Sequence, residues 1–507
     1  MNMRFFYMVF ACLLVLPFSA AHAGASDNET PERLPLKELL STTQHTTRIK
    51  KKTISYSATA GRLILVDDAG KQTAQLFFTA YTSNAGNASG RPVTFAFNGG
   101  PGSSSVWLHF GAMGPKRVRL GAAGAPPPPP AALIDNEHTW LAFTDMVFID
   151  PVGTGYSRAV DTKEEKSFYG IKKDFESVGD FIRLYITRYN RWLSPKFVVG
   201  ESYGTTRAVG VTDYLHTKHG IDFNGIVLVS PVLNYNTIRF DRSNDLAYVL
   251  FLPSYAAAAW YHKLVPSQQI QLAPFLKQVE DWALDTYIVS LAKGATLPEK
   301  DAQGVASEIS SSTGLSESYV LKSDLAVPSP RFRKELLREK QVVIGRMDAR
   351  FTGPDTDGTG EAGYYDPSLE MLIGPFSSAA NHYVRNDLGF KSDTPYTYLN
   401  HTISRSWDWS AAIKGGQGYV DVSEALTDAL HINNSLKVFI AAGYYDLATP
   451  YFAARYTADH LALKKELRDN ISIGLYDAGH MMYIDQPSLK KFTADISSFY
   501  KKALGAE

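Results

Sequence analysis

Cysteine is nearly absent from this 507-residue chain, since Cys12 is its one thiol and lies within the apolar N-terminal segment. A mature chain without that segment would contain no cysteine. Such a chain forms no disulfide bond, has no thiol nucleophile and builds no cysteine-based metal site. Its chemistry would therefore depend on hydroxyl, carboxylate and imidazole groups.

An excess of charge of either sign is also missing. The 51 Lys and Arg residues balance the 51 Asp and Glu residues, so the formal net charge is 0. Without a basic field to attract polyanions, this balance argues against a protein that binds nucleic acid or an anionic membrane surface. The composition, 45% apolar and 20% charged, is that of an ordinary globular protein.

Apolar runs long enough to cross a bilayer are absent as well. The apolar stretch from Phe5 to Phe18 is too short for a membrane span. It follows Arg4 and precedes the Ala-His-Ala triplet at Ala21–Ala23, which is the order of features in a secretory signal peptide. We therefore predict a signal peptide over residues 1–23, no membrane association after cleavage, and an exported protein, periplasmic or secreted, with a bacterial host favoured.

Short apolar segments alternate with helical segments over most of the chain. Continuous apolar runs indicate strands buried on both faces, as in a parallel sheet covered by helices. The candidate strands are Val93–Phe97, Met146–Ile149, Phe197–Val199, Ile226–Val229, Val438–Ala442 and Ile471–Tyr476. Alternation from Thr46 to Tyr81 predicts antiparallel strands before them, and the polar residues 24–43 are predicted to be loosely held.

The predicted fold class is α/β, with a mostly parallel central sheet and helices on both faces. Between Ile226–Val229 and Val438–Ala442 the strand pattern stops, and much of the sequence has helical character. Ligands of open α/β sheets bind above the carboxyl ends of the strands. We therefore predict a catalytic domain from residues 24–238 and 394–507, with residues 239–393 inserted as a cap.

The segment Gly200–Gly204 (Gly-Glu-Ser-Tyr-Gly) is a candidate nucleophile elbow. It follows the strand Phe197–Val199 and precedes a helical stretch, which is the context that a G-x-S-x-G motif requires. Its glycines permit a tight turn that side chains would obstruct. The turn would expose Ser202 at a helix N-terminus, where the helix dipole favours developing negative charge. We predict Ser202 as the nucleophile.

A nucleophilic serine needs a base and an acid that orients the base, in the chain order Ser, Asp or Glu, His. Asp446 and His480 each follow a predicted strand, so both would lie at the sheet edge that carries Ser202. His480 would take the serine proton, and Asp446 would fix the imidazole tautomer. Asp477 and Asp485 compete for the acid role but lie too close in sequence to His480 to come from a separate strand end.

A glycine-rich segment, Asn98–Gly102, follows the strand Val93–Phe97. Consecutive glycines let backbone N–H groups approach an anion, here the tetrahedral oxyanion. Gly100 is the predicted donor from this loop, and the N–H of Tyr203 is the second. No Gly-Lys-Ser/Thr follows the glycines, so the segment is not a phosphate-binding loop.

Five motifs together resemble those of the serine carboxypeptidases of the carboxypeptidase Y type. In chain order they are Asn98–Ser105, Asp150–Ser157, Gly200–Gly204, Gly443–Asp446 and Gly479–Met481. The resemblance implies an α/β-hydrolase fold with a helical cap and the removal of single amino acids from peptide C-termini. It also implies that Asn98, Gly99 and Glu201 hold the terminal carboxylate of the substrate. Glu201 fits that role because two adjacent carboxylates bind when they share a proton.

Two positions depart from the pattern of that family. Ser103 stands where many members have Cys, so the disulfide bond of that loop is absent here. Ala112 stands where members often have a Glu that completes the carboxylate-binding network. Fewer acidic groups would therefore surround the terminal carboxylate of the substrate.

Three functional hypotheses follow. The first is an exported serine carboxypeptidase that forms an acyl-enzyme, acts on peptides with a free C-terminus, and uses no metal or cofactor. The second is an esterase or acyltransferase on the same fold, because a triad and an oxyanion hole do not dictate the acceptor. The third is an inactive binding protein, which the filled triad positions disfavour. The sequence does not choose between a monomer and a homodimer.

Two further patterns have a plain structural interpretation and a functional one. Asp355–Asp366 has acidic residues spaced roughly as in a calcium loop, but it lacks the entering helix and is predicted to be a polar loop. Trp407–Trp409 is predicted to pack between cap and core, and it is also the best candidate for recognising an apolar substrate side chain.

Overall fold

A computed structural model describes residues 36–49, 51–85, 90–161, 163–266 and 270–505. The predicted signal peptide and its cleavage site lie outside these residues. From Lys37 onwards the chain forms one compact unit. Within the described ranges, no helix combines the length and the apolar character needed to cross a membrane.

A mixed β-sheet forms the centre of the fold. The strands of the protein are β1 (Leu39–Ile49), β2 (Lys52–Val66), β3 (Gln72–Ser83), β4 (Val93–Phe97), β5 (Lys116–Val118), β6 (Leu133–Asp135), β7 (Asp145–Ile149), β8 (Arg158–Ala159), β9 (Lys196–Glu201), β10 (Gly225–Val229), β11 (Val342–Ile344), β12 (Thr352–Pro354), β13 (Lys437–Gly443) and β14 (Ile471–Tyr476). The spatial order in the central sheet is β1-β2-β3-β7-β4-β9-β10-β13-β14. From β7 to β14 all neighbouring strands are parallel, whereas β1, β2, β3 and β7 pair antiparallel.

The six apolar strands predicted from the sequence are confirmed as β4, β7, β9, β10, β13 and β14. Their side chains alternate between two buried layers, as Val198 and Ile226 face one core while Val199 and Val227 face the other. Burial on both faces explains why these strands are apolar without interruption. The antiparallel strands predicted before them are also present.

The first strand begins earlier than the sequence analysis predicted. Residues 39–43 were expected to be loosely held, but they belong to β1 and pair with residues 58–62 of β2. The prediction was wrong there because β1 is the last strand at its edge of the sheet and most of its side chains are exposed or half-buried. A polar sequence is compatible with such an edge strand.

Helices cover both faces of the sheet. Their bounds are α1 (Ile171–Arg188), α2 (Tyr203–His219), α3 (Asp245–Tyr261), α4 (Leu272–Trp282), α5 (Ile288–Lys293), α6 (Glu299–Thr313), α7 (Glu317–Lys322), α8 (Ser329–Glu335), α9 (Pro367–His382), α10 (His401–Arg405), α11 (Ser423–Ile432), α12 (Tyr451–Asp459), α13 (Lys465–Arg468) and α14 (Gln486–Ala503). Helices α1, α2, α11 and α12 share one core, whereas α9 and α14 share the other.

The segment between β10 and β13 is largely helical. Helices α3 to α6 pack on one another, and α3 also packs on α12. Helix α9 instead packs against the π-helical segment Leu108–Met113, where the rings of Trp107 and Phe376 are 5.0 Å apart between centroids. Residues between β10 and β13 therefore contribute to both layers that cover the sheet.

Candidate active site

The predicted nucleophile lies at a sharp turn between β9 and α2. Ser202 has φ 59° and ψ −129°, a conformation that a non-glycine residue adopts at a cost of about 1–3 kcal/mol. A Cβ atom at Gly200 would lie 1.9 Å from the carbonyl oxygen of Gly204, so the turn requires glycine there. The backbone N–H of Ser202 donates to the carbonyl of Val229 at 3.0 Å. The neighbouring strand thus anchors the strained turn.

Asp446 and His480 follow β13 and β14 and form a buried pair. Nδ1 of His480 lies 2.7 Å from Oδ2 of Asp446, and both side chains are almost fully buried. Oδ1 of Asp446 accepts from the backbone N–H groups of Ala448 at 2.7 Å and Thr449 at 2.9 Å. The Thr449 hydroxyl donates to Oδ2 at 2.9 Å. These donors hold the carboxylate in place against the imidazole.

The imidazole of His480 has a raised pKa and a free second nitrogen. Burial lowers its pKa, but the charge and hydrogen bond of Asp446, together with the charge of Glu201, outweigh burial and raise it. Nε2 of His480 is buried and makes no hydrogen bond to any described residue, and thus none to Ser202 in this conformation. The structure brings Asp446 and His480 together and leaves Nε2 able to accept a proton.

The glycine-rich loop after β4 approaches the turn at Ser202. A Cβ atom at Gly99 would lie 2.5 Å from the backbone nitrogen of Tyr203, so only glycine permits this approach. Gly100 has φ +104° and lines the same cavity as Ser202 and Tyr203. The backbone of the two predicted oxyanion donors therefore lies at the border of one cavity, next to the predicted nucleophile.

A buried ion pair, absent from the sequence predictions, holds this loop against α1 and α2. Nε of Arg207 lies 2.8 Å from Oδ2 of Asp174, and the side chains are 1% and 3% exposed. The Tyr203 hydroxyl donates to the same carboxylate oxygen at 2.8 Å. Nη1 of Arg207 donates to the carbonyl of Asn98 at 2.6 Å. This network fixes Asn98 relative to the elbow helix.

The three residues implied to bind a carboxylate lie together. Glu201 ends β9 and is buried, which raises its pKa to about 7 despite lowering effects from His480, Tyr483 and Asn98. The side chain of Asn98 interacts with Glu201, and its Oδ1 accepts from the N–H of Leu108 at 3.0 Å. A Cβ atom at Gly99 would lie 2.6 Å from the carbonyl oxygen of Glu201, so Gly99 packs directly against that residue.

Tyr483 is a member of this group that the sequence analysis missed. Its hydroxyl donates to Oε2 of Glu201 at 2.6 Å. A Cβ atom at Gly111 would lie 2.5 Å from its ring, so the ring packs directly beside the residue that precedes Ala112. The sequence signal was its position three residues after His480, but an aromatic residue in an apolar stretch is usually core.

A cavity of about 260 Å³ opens at Ser202. Its walls come from the segment after β10, from α3 and α8, and from the loops after β11 and β13. Trp409 lines this cavity, while Trp407 is buried, and both rings meet Tyr203 edge-on at 5.5 Å between centroids. The Trp407–Trp409 segment therefore combines packing with a wall of the cavity.

The loop Asp355–Asp366 holds an internal cation. The ammonium of Lys334 is fully buried and donates to both carboxylate oxygens of Asp355, at 2.5 Å and 2.6 Å, and to the carbonyl of Asp357. The loop thus wraps around a lysine side chain. Among the described residues no group of three or more His, Asp or Glu side chains is placed to hold a metal ion.

Sequence comparison finds relatives among serine carboxypeptidase-like proteins and carboxypeptidases. Serine carboxypeptidase-like 45 of Arabidopsis thaliana is 23% identical over 290 residues, which are 55% of each chain. The pheromone-processing carboxypeptidase KEX1 of Saccharomyces cerevisiae is 32% identical over 145 residues, which are 27% of this chain and 19% of that protein. The chain thus matches about half the length of the first relative and a smaller part of the second.

Structural comparison identifies the fold. The crystal structure of the yeast prohormone-processing carboxypeptidase KEX1 matches with a TM-score of 0.56 at 17% identity, over 88% of this chain and 91% of that one. This likeness confirms the predicted α/β-hydrolase fold. The family model described as serine carboxypeptidase matches residues 52–472. Because that match spans most of the chain, the protein is a member of the serine carboxypeptidase family.

Proposed function

We propose that this protein releases C-terminal amino acids from peptides through Ser202, His480 and Asp446. The observation that carries this proposal is the buried Glu201 carboxyl, next in sequence to Ser202, with its pKa raised to about 7. A simple esterase has no need of a protonatable carboxyl at that position. A carboxypeptidase needs one, because a neutral carboxyl can donate a hydrogen bond to the terminal carboxylate of the substrate.

The proposed reaction proceeds through an acyl-enzyme. Oγ of Ser202 attacks the carbonyl carbon of the last peptide bond while Nε2 of His480 accepts its proton. The N–H groups of Gly100 and Tyr203 donate to the oxyanion that develops on the carbonyl oxygen. His480 then gives its proton to the leaving amine, and the C–N bond breaks. Water, deprotonated in turn by His480, hydrolyses the ester and releases the shortened peptide.

The raised pKa values of Glu201 and His480 predict that the proposed activity depends on pH. Below about pH 7 Glu201 is protonated and donates to the substrate carboxylate, while above it the two anions repel. His480 must be neutral to act as a base, and its raised pKa limits the reaction on the acid side. Since Glu201 and His480 influence each other, their protons belong to a coupled pair. We expect a bell-shaped dependence of kcat/KM on pH for substrates with a free C-terminus.

The test compares an N-blocked dipeptide with its C-terminal amide across a pH series. We expect the free acid to be cleaved faster than the amide by a factor of about ten or more below neutral pH, because one charge-assisted hydrogen bond contributes that much. The preference should vanish as Glu201 ionises. Ser202→Ala is the blank and should abolish both activities.

The outcomes separate the three functional hypotheses. Equal or faster cleavage of the amide, or brisk cleavage of simple esters with neither peptide cleaved, would overturn the carboxypeptidase proposal in favour of an esterase or acyltransferase. A wild-type protein that does not react at Ser202 with a fluorophosphonate probe would be an inactive binding protein. Labelling of the wild type and not of Ser202→Ala would assign the nucleophile.

We also propose that residues 239–393 act as a cap and that the protein is exported from a bacterial cell. Helices α3 and α8, which lie within that range, contribute Phe251 and Arg333 to the wall of the cavity at Ser202.

The apolar segment and Ala-His-Ala triplet of residues 1–23 support export. N-terminal sequencing of protein secreted by a bacterial host should give Gly24 as the first residue. Recovery of the protein only from the cytoplasm, with residues 1–23 retained, would contradict export.

A further inference from the structure

Three arginine side chains line the cavity at Ser202. Arg239 follows β10, Arg333 lies on α8 and Arg346 follows β11, so three separate parts of the chain contribute them. Among the described residues that line the cavity there is no carboxylate. None of the three guanidinium groups forms an ion pair with a described residue. The arginine-lined cavity, defined by Arg239, Arg333 and Arg346, therefore carries positive charge without a contacting anion.

Arg333 is the most informative of the three because it is buried. Arg333 is only 9% exposed, and its Nε has no hydrogen-bond partner among the described residues. Asp366 is the main anion that acts on it, but that carboxylate accepts from the backbone N–H groups of Arg346 and Met347 and from the Ser368 hydroxyl. A buried cation without a hydrogen-bonded anion is costly. An anionic ligand in the cavity would remove that cost.

The position of the cavity identifies which part of a substrate would enter it. The cavity is bordered by Ser202 and Gly100, whereas Asn98, Glu201 and Tyr483 do not line it. If those three residues hold the leaving amino acid, as the proposed function requires, the acyl part of the peptide must extend to the other side of Ser202. That side is the arginine-lined cavity.

We infer that the enzyme prefers peptides whose penultimate residue is glutamate or aspartate, with the side-chain carboxylate bound by Arg333 and by Arg239 and Arg346 at the rim. This inference rests on the proposed function. The guanidinium group binds carboxylates in a planar, charge-assisted geometry. Phe240 and Phe251 also line the cavity, and their apolar side chains would lower the local dielectric around a bound carboxylate and so strengthen the pairing. A substrate with lysine as its penultimate residue would be repelled by the three arginines.

The experiment measures kcat/KM for N-blocked dipeptides that share a C-terminal phenylalanine and differ in the preceding residue: Glu, Gln or Lys. Glu and Gln have the same shape, so their ratio isolates charge. We expect the Glu substrate to exceed the Gln substrate by about tenfold or more at neutral pH and low salt, and the Lys substrate to be the poorest. High salt should reduce the ratio, since charge at the exposed rim is screened.

Substitutions of the arginines test which of them cause the preference for Glu over Gln. Arg333→Gln should bring the Glu-to-Gln ratio close to one. Arg331→Gln is the matched control, because Arg331 lies on the same helix but pairs with Glu361 at the surface. If Arg333→Gln does not fold, Arg239→Gln and Arg346→Gln, which alter exposed residues, should each lower the ratio several-fold.

The outcomes distinguish this inference from the proposed function. If the wild type cleaves none of the three substrates, the proposed function fails. If it cleaves all three at similar rates, or prefers Lys, the carboxypeptidase activity stands and the preference for acidic residues is overturned. An equal loss of the ratio in the Arg331→Gln control would also overturn the assignment to the arginine-lined cavity.

Discussion

At the residue scale, the proposed site depends on a contact between two side chains far apart in sequence. Tyr483 and Glu201 are separated by 282 positions, yet the phenol donates to the carboxylate at 2.6 Å. The donor stabilises the charged form of Glu201 and so opposes the effect of burial on its pKa. Tyr483 is therefore a positioning residue that tunes the pKa of the proposed carboxylate-binding group. Its ring lies beside the helix that carries Ala112, where family members often supply a Glu.

Replacement of the phenol tests this role. Tyr483→Phe removes the hydrogen bond that lowers the pKa of Glu201, so that pKa should rise. We expect the alkaline limb of kcat/KM for a free-acid dipeptide to move up by about one pH unit, since a hydrogen bond to a charged group contributes about 1.5 kcal/mol. The amide substrate should lack this shift. The measurement is the full pH profile with both substrates.

The matched control is Tyr476→Phe. Tyr476 also donates to a carboxylate, Asp495 at 2.9 Å, but this pair joins β14 to α14 away from the cavity. Tyr476→Phe should leave the alkaline limb in place even if it lowers stability. An unmoved limb in Tyr483→Phe, or one that moves to lower pH, would refute the positioning role.

At the element scale, the buried pair of Asp174 and Arg207 fastens α1 to α2 and both to the loop after β4. Arg207→Met leaves the carboxylate of Asp174 buried, with the Tyr203 hydroxyl as its one remaining donor among the described residues. Loss of one partner from such a pair costs about 3–5 kcal/mol. We expect the free energy of unfolding, measured by denaturant titration, to fall by that amount.

A surface pair on another element provides the control for this prediction. Arg331→Met removes an exposed ion pair with Glu361 and should cost only about 0–1 kcal/mol. The double variant Asp174→Leu/Arg207→Met should lose less stability than the sum of its two single variants, because it leaves no unpaired buried charge. Additive losses would show that the two residues act independently.

The elements could be predicted from the sequence where burial constrains the residue type. Strands β4, β9 and β10 are apolar on both faces because helices cover both faces, and that pattern is visible without a structure. The turn at Gly200–Gly204 was also predictable, since a Cβ atom at Gly200 would meet the carbonyl oxygen of Gly204 within the same turn. By contrast, β1 was predicted to start too late, because an edge strand does not need apolar residues.

The rest of the site depends on pairings that a single sequence does not reveal. Arg207 reaches Asp174 on another helix, and the guanidinium of Arg333 meets the cavity only once α8 is docked. In the sequence these residues look like solvated charges, because the pattern of a helix records which face is buried and not what it contacts. The geometry of long-range polar contacts therefore has to come from the structure.

At the scale of the whole molecule, buried groups couple the stability of the fold to pH. Asp150 is 3% exposed, and its Oδ1 accepts from the N–H of Ser105 at 2.8 Å. A Cβ atom at Gly155 would lie 1.7 Å from its Oδ2, so the backbone closes over the carboxyl. Burial raises the pKa of Asp150 to about 7, as it does that of Glu201. His109 has the opposite tendency, since burial lowers its pKa to about 3.

The sign of the Asp150 contribution follows from linkage. An unfolded Asp has a pKa of about 3.9, so between that pH and about pH 7 the folded protein holds a proton that the unfolded chain has lost. The contribution of the neutral carboxyl is complete below about pH 4 and is lost as the pH rises through about 7. The side chain introduced by Asp150→Asn does not titrate, so that variant lacks this loss of stability with rising pH. The pH dependences that come from Glu201 and His109 are the same in both proteins.

We therefore expect the free energy of unfolding of the wild type, minus that of Asp150→Asn, to decrease by about 1.4 kcal/mol per pH unit across this window. Over the whole window the change would amount to roughly 4 kcal/mol. Denaturant titrations of both proteins at several pH values measure it. If the difference in the free energy of unfolding is constant with pH, or grows as the pH rises, Asp150 is ionised in the folded protein. An anionic carboxylate would then lie beneath the loop that carries Ser105.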